Sequence, residues 1–164
     1  QFAITDSIDA MMAEWNAMAM ETYAHQVTWK PGAKEFLMQL KERGIATGIA
    51  TSNSKELLKA VSDALSMDAY IDCYLTGNEV NKGKPAPDIY LEVANRLHVL
   101  PQDCLVFEDI CPGIMAGKNA GMKVCAIYDE YSKDITEEKK ALADAYIEDY
   151  TQIEWTGNNH GTNN

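Results

Sequence analysis

The sequence predicts an α/β fold: a parallel sheet with helices packed on both of its faces. Short apolar, β-branched runs alternate along the chain with segments of helical apolar spacing, and Gly or Pro punctuates the changes. The chain has 164 residues, 46% of them hydrophobic, enough to bury one sizeable core in one domain.

Between Asp6 and Gln26, Ile8, Met11, Met12, Trp15, Met18, Ala19 and Tyr23 recur at helical spacing, with Thr5 or Asp6 available as N-cap. This predicts an amphipathic helix, and its methionine stripe reads as packing. "KPGAKEFLMQLKERG" opens on Pro31 and Gly32, places Phe36, Leu37 and Leu40 on one face and stops at Gly44. "IATGIAT", residues 45–51, is small and apolar enough for a buried parallel strand. Then follow a helix in "SKELLKAVSDALSM", a strand in "AYIDCYLTG", and a helix in "PAPDIYLEVANRLHV" whose start is fixed by Pro85 or Pro87. "CLVFED" is a strand, "PGIMAGKNAGM" a helix, "KVCAIYD" a strand, and "TEEKKALADA" a helix that leads into a short "AYIED". The closing "TGNNHGTNN" has nothing to bury and is expected to be disordered.

A formal net charge of -11 weighs against nucleic acid and against an anionic membrane as partners, since both demand clustered Lys and Arg. It leaves room for a small phosphorylated metabolite, because a few local cations or a metal ion reverse the field inside one pocket. Cys73, Cys104, Cys111 and Cys125 form no CxxC pair and read as free buried thiols of a reducing compartment. No stretch approaches the ~20 apolar residues of a membrane span, and no secretory start is visible. A soluble cytoplasmic protein is expected, monomeric or weakly self-associating.

Ligands of such sheets bind at the carboxyl ends of the strands. Three of those ends carry polar chemistry. After "GIAT" come Ser52 and Asn53, opening a helix; they read either as an N-cap pair or as a phosphate seat on free helix amides. Lys84 stands between Gly83 and Pro85, a stiff context that aims its side chain, whereas Lys82 reads as surface. A lysine near a helix start is electrostatically misplaced unless something anionic compensates. Glu108 and Asp109 end "CLVFED" as adjacent carboxylates. Two such charges about 4 Å apart repel by roughly 4 kcal/mol at an effective dielectric near 20, so a half-buried pair requires a cation or a shared proton. The alternatives are an acid pair on a helix dipole and a site for a hard divalent cation such as Mg²⁺. Gly113 lets the following backbone come close. Tyr128, Asp129 and Glu130 read as a solvated turn rather than a pocket rim, and His25, His98 and His160 do not cluster with the acids.

"IATSNSK", "GKPAPDIYLEVANRL" and "VFEDICPGIMAGKNAGM" resemble the second, third and fourth motifs of the haloacid dehalogenase-like (HAD) superfamily, in its branch of small phosphatases and β-phosphoglucomutase-like enzymes. The similarity runs from about Pro31 to about Ile153. It implies a Rossmann-like α/β core over 29–155, preceded over 1–28 by a remnant of a helical cap and followed over 156–164 by a tail. It implies that Ser52 and Asn53 bind the transferring phosphoryl group, that Lys84 bridges phosphate and nucleophile, and that Asp109 and Glu108 hold Mg²⁺. The family's first motif, Asp-x-Asp at the end of an opening strand, occurs nowhere in these residues. By family topology that strand lies between the "GIAT" and "CLVFED" strands. The resemblance therefore implies a Mg²⁺-dependent phosphatase acting through an aspartyl-phosphate, with the nucleophile missing from this chain. The alternatives are a phosphomutase and a non-catalytic module of the same fold.

Overall fold

The computed structural model describes residues 7, 11, 14, 18–22 and 27–155. The helix expected over 6–26 falls largely outside the described residues; residues 11, 14 and 18–22 of it are helical. The expected tail over 156–164 lies outside them as well.

Helix α1 (Ala33–Glu42) leads into β1 (Gly48–Thr51), and α2 (Lys55–Leu65) into β2 (Cys73–Thr76). Helix α3 (Asp88–Arg96) leads into β3 (Leu105–Glu108), α4 (Cys111–Asn119) into β4 (Lys123–Ile127), and α5 (Thr136–Leu142) into β5 (Ala145–Ile147). The order matches the sequence pattern, but two strands are shorter than their apolar runs. The run before β1 is diverted because the Thr47 amide donates to Asp72 Oδ2 at 2.9 Å and its hydroxyl to the Tyr70 carbonyl at 2.5 Å. Ahead of β2, Ser66 turns left-handed (φ 52°) and Met67–Ala69 winds into a 3₁₀ turn.

All strand pairing is parallel, in two pieces. β1 pairs with β2 from Gly48 opposite Cys73 to Thr51 opposite Thr76. In the other piece β4 lies between β3 and β5. Among the described residues β1 and β3 do not pair with each other.

One core nonetheless spans both pieces. Leu75 of β2, Ile89, Val93 and Ala94 of α3, Val106 of β3, Ile114 and Ala116 of α4, and Val124 and Ala126 of β4 are buried together. Close approach of α4 to the sheet is set by Gly117, where a Cβ would stand 2.7 Å from Val124 Cγ2. Since side chains alternate along a strand, Phe107 points to the opposite face from Val106 and Glu108. There its ring meets Phe36 of α1 at 5.5 Å and Tyr150 at 5.2 Å, and Phe36 stacks on Trp155 at 5.9 Å. The Arg43 guanidinium covers Trp155 at 4.0 Å, so the chain beyond β5 is tied back onto α1. No helix among the described residues is long and apolar enough to cross a membrane.

Asp144 fixes the entry to β5. Its carboxylate accepts from the Val124 amide and from Lys118 Nζ, each at 2.8 Å, and stands 3.4 Å from Lys123 Nζ. The Lys118 bond first, then the amide, pull its pKa down to about 2. The folded pKa lies below the unfolded one, so this stabilisation is present above about pH 4 and is lost as pH falls toward 2. Urea unfolding should therefore show Asp144→Asn less stable than the parent chain at pH 6. The difference should close between pH 4 and 2, whereas a gap constant with pH would remove Asp144 from the acid limb.

Candidate active site

The carboxyl ends of β1, β2, β3 and β4 each hand the chain into a turn, and the polar residues singled out in the sequence stand on these turns. After β1, the N-cap of α2 is Ser54, whose hydroxyl accepts from the Leu57 amide at 3.3 Å. Ser52 and Asn53 are thus spared the capping role the sequence offered them. The Asn53 amide folds back onto Thr51 Oγ1 at 3.1 Å, and Ser52 is exposed. Among the described residues neither side chain has a hydrogen-bond partner of its own.

After β2 the turn Gly77–Glu79 is closed by Glu79, whose carboxylate accepts from the Thr76 amide at 3.1 Å and its hydroxyl at 3.0 Å. The same carboxylate lies 3.5 Å from Lys55 and 3.6 Å from Arg96, joining the starts of α2 and the end of α3 to this turn. From here the chain reaches Lys84 and enters α3 after Pro87.

Lys84 closes the break in the sheet. Its ammonium donates to the Ala50 carbonyl of β1 at 3.2 Å and to Glu108 Oε1 of β3, and it stands 5.0 Å from the Tyr90 ring centre. The Tyr90 hydroxyl donates to the same Glu108 oxygen, and Glu108 Oε2 accepts from the Asp109 amide at 3.2 Å. The Lys84 side chain is 11% exposed and that of Glu108 7%. The anion that the placement of Lys84 calls for is therefore Glu108. Burial, and next the charge of Glu108, push the Tyr90 phenol far above its ordinary value and keep it a proton donor. Gly113 is required here, because a Cβ at that position would overlap the Glu108 carboxylate.

Asp109 differs from its neighbour. No other described residue hydrogen-bonds or pairs with its half-buried carboxylate. Burial first, then the charges of Glu108 and Asp129, raise its pKa, opposed only in part by a hydrogen bond from its own backbone amide and by the charge of Lys30. A half-buried acid beside two other acids is a group that could hold an added cation. Among the described residues no three His, Cys, Asp or Glu side chains gather as a complete metal cage. Mg²⁺ is commonly held by one or two carboxylates and completes its shell with water and phosphate oxygens, and Asp109 is the carboxylate here that could serve it.

Asp129, read from sequence as part of a solvated turn, belongs to this rim. Its carboxylate accepts from Lys30 Nζ at 2.7 Å and from the Tyr131 amide at 3.0 Å, and Lys30 also donates to the Tyr128 carbonyl at 3.1 Å. Burial raises the Asp129 pKa, but the Lys30 bond, the amide and the nearby charges outweigh it and hold the group below its usual range. Lys30 was missed in the sequence, although it precedes Pro31 as Lys84 precedes Pro85, the same stiff context. Its partner lies 99 residues away, which no local pattern encodes. Lys82 is exposed, as expected, and the four cysteines are free, with Cys73 and Cys104 only half-buried.

The haloacid dehalogenase-like hydrolase family matches residues 2–121, more than half of the chain. A bifunctional riboflavin kinase/FMN phosphatase of Arabidopsis thaliana is 42% identical over 100 residues, covering 59% of this chain and 26% of that protein. The validoxylamine A 7'-phosphate phosphatase of Streptomyces hygroscopicus subsp. limoneus is 30% identical over 149 residues, covering 91% of this chain and 68% of that protein. The fold is shared with the crystal structure of CbbY from Rhodobacter sphaeroides in complex with phosphate, at a TM-score of 0.81 and 23% identity over 92% of this chain and 68% of that one. The chain thus spans between about a quarter and two thirds of the length of these relatives. With its parallel sheet and its polar residues gathered at the strand ends, the chain belongs to the haloacid dehalogenase-like hydrolases.

Proposed function

We propose that this chain carries the phosphate- and metal-handling part of a Mg²⁺-dependent phosphatase that acts on a small phosphorylated metabolite through an aspartyl-phosphate. In this reading the aspartate that attacks phosphorus lies outside these 164 residues, where no Asp-x-Asp occurs. The observation that carries it is the position of Lys84: one buried ammonium, held by Glu108 and Ala50, between the ends of β1 and β3. The phosphatase names of the two relatives, 42% and 30% identical, support the same class of reaction.

Each residue then has a role set by its surroundings. Ser52 and Asn53, free of capping, offer a hydroxyl and an amide to phosphoryl oxygens in the turn ahead of α2. Lys84 adds a fixed positive charge, and because Glu108 and Tyr90 already orient it, little reorganisation is needed as charge develops on the phosphoryl group. Asp109 is the ligand for Mg²⁺, and Glu108 stands beside it as the acid that keeps Lys84 in place. Bound there, Mg²⁺ supplies neutralisation of phosphate charge. The net charge of -11 is not an obstacle, since at the rim Lys84 and Lys30 offset Glu108 and Asp129, and a divalent cation on Asp109 would make the local field positive.

The complete protein should hydrolyse p-nitrophenyl phosphate in the presence of Mg²⁺ and stop when EDTA removes it; no hydrolysis under either condition would overturn the reading. Lys84→Ala should lower kcat by about 10²–10³-fold, or ~2.7–4 kcal/mol, the cost of one charge-stabilising donor. A near-normal rate would take Lys84 out of the reaction. Asp109→Asn should raise the Mg²⁺ concentration for half-maximal rate by more than the roughly 10–100-fold that outer partners of a metal are worth, and an unchanged Mg²⁺ dependence would exclude it as a ligand. In Gly113→Ala the new methyl displaces Glu108, so melting should show a loss of about 1–3 kcal/mol together with a lower rate. Parent-like stability and rate would show that Glu108 is free to move.

A further inference from the structure

Lys139 of α5 is fully buried, at 0% exposure, and takes no part in the roles assigned above. Its ammonium donates to Ser132 Oγ at 2.8 Å and to the Ile127 carbonyl, the last of β4, at 3.2 Å. No carboxylate oxygen of the described residues lies within 4 Å of it. An ammonium withdrawn from water that hydrogen-bonds only neutral groups, with the charge of Asp129 acting on it without direct contact, is costly, so its retention calls for a reason.

Ser132 supplies one. It is itself buried, and its hydroxyl lies 2.7 Å from the Asp109 carbonyl. An ammonium has donors only, so at the Lys139 contact the serine oxygen must accept. Its single proton is left for a carbonyl: Asp109 at 2.7 Å is in good range, whereas the Asp129 carbonyl at 3.5 Å is at the limit. The result is a directed chain, Lys139 to Ser132 to Asp109, in which the charged first donor polarises the hydroxyl and strengthens its bond. This chain joins the end of β4 and the start of α5 to the main chain of the acid at the end of β3.

We propose that Lys139 and Ser132 are positioning residues that fix the backbone of Asp109 so that its carboxylate is presented to a divalent cation. The metal half of this statement rests on the phosphatase reading above; the backbone half does not. Two roles for Lys139 predict opposite signs. If it acted only as a distant positive charge, its removal would tighten binding of a dication, and Ser132 would be irrelevant. If it acts through Ser132, loss of either residue weakens binding, by the roughly 10-fold or more typical of an outer partner of a metal.

The experiment compares the complete protein with Ser132→Ala, Ser132→Thr and Lys139→Met. Mg²⁺ affinity is read by titration calorimetry, and amide hydrogen exchange over residues 109–113 is read without metal. Ser132→Ala and Lys139→Met should each weaken Mg²⁺ binding about 10-fold or more and speed exchange at 109–113, while Ser132→Thr, which keeps the hydroxyl, should stay near the parent. Unchanged or tighter Mg²⁺ binding in Ser132→Ala would overturn the proposal. Should Lys139→Met fail to fold, Ser132→Ala and Ser132→Thr decide it. Should the parent bind no Mg²⁺, the phosphatase reading fails, and exchange alone decides the backbone claim: protection at 109–113 unchanged in Ser132→Ala would overturn it.

Discussion

The ion pair between Lys84 and Glu108 is the constraint on which the rest of this structure depends. It joins the two pieces of the sheet at the carboxyl ends of β1 and β3, where no backbone hydrogen bond does so among the described residues. Burying two charges is justified only when the remaining hydrogen-bonding capacity is met. Here the Ala50 carbonyl takes another proton of Lys84, while Tyr90 and the Asp109 amide occupy the oxygens of Glu108. Removing either partner would leave the other as an isolated buried charge. Gly113 then follows as a necessity, because only a residue without a side chain lets α4 start against that carboxylate.

The acids at the rim are sorted by their cations. Glu108 has Lys84, Asp129 has Lys30, and Asp109 has neither. The acid left over is the one whose pKa is raised, by burial and by the negative charges of its two neighbours. Among the described residues Asp109 is therefore the acid of this rim left without an ion-pair partner. The Ser132–Lys139 chain adds the mechanical counterpart, holding the main chain of Asp109 from below.

Much of this was legible in the sequence, for identifiable reasons. The strands leave nearly unbroken apolar runs with Gly or Pro at their ends, so the order of elements could be read directly, although only β4 is buried along most of its length and the expected buried strand β1 is only partly covered. Lys84 declared itself through Gly83 and Pro85, and Glu108 with Asp109 through like charges at the end of an apolar strand. What could not be read was pairing across distance. Adjacent acids looked like one unit, whereas the alternation of a strand turns Glu108 inward to Lys84 and leaves Asp109 at the turn. Strand ends were overestimated where Asp72 draws Thr47 out of register, a contact 25 residues long in sequence. Lys30 with Asp129, and Lys139 with Asp109 through Ser132, likewise join residues whose local patterns say only helix or turn.

The most direct measurement is a crystal structure of the complete protein with Mg²⁺ and orthovanadate, an analogue of the transferring phosphoryl group. Vanadate is expected at the ends of β1 and β3, with an oxygen within hydrogen-bonding distance of Lys84 Nζ and of Ser52, and Mg²⁺ on the Asp109 carboxylate. Vanadate bound elsewhere, or Lys84 still turned to Glu108 and Ala50 with no oxygen of the anion in reach, would contradict that arrangement.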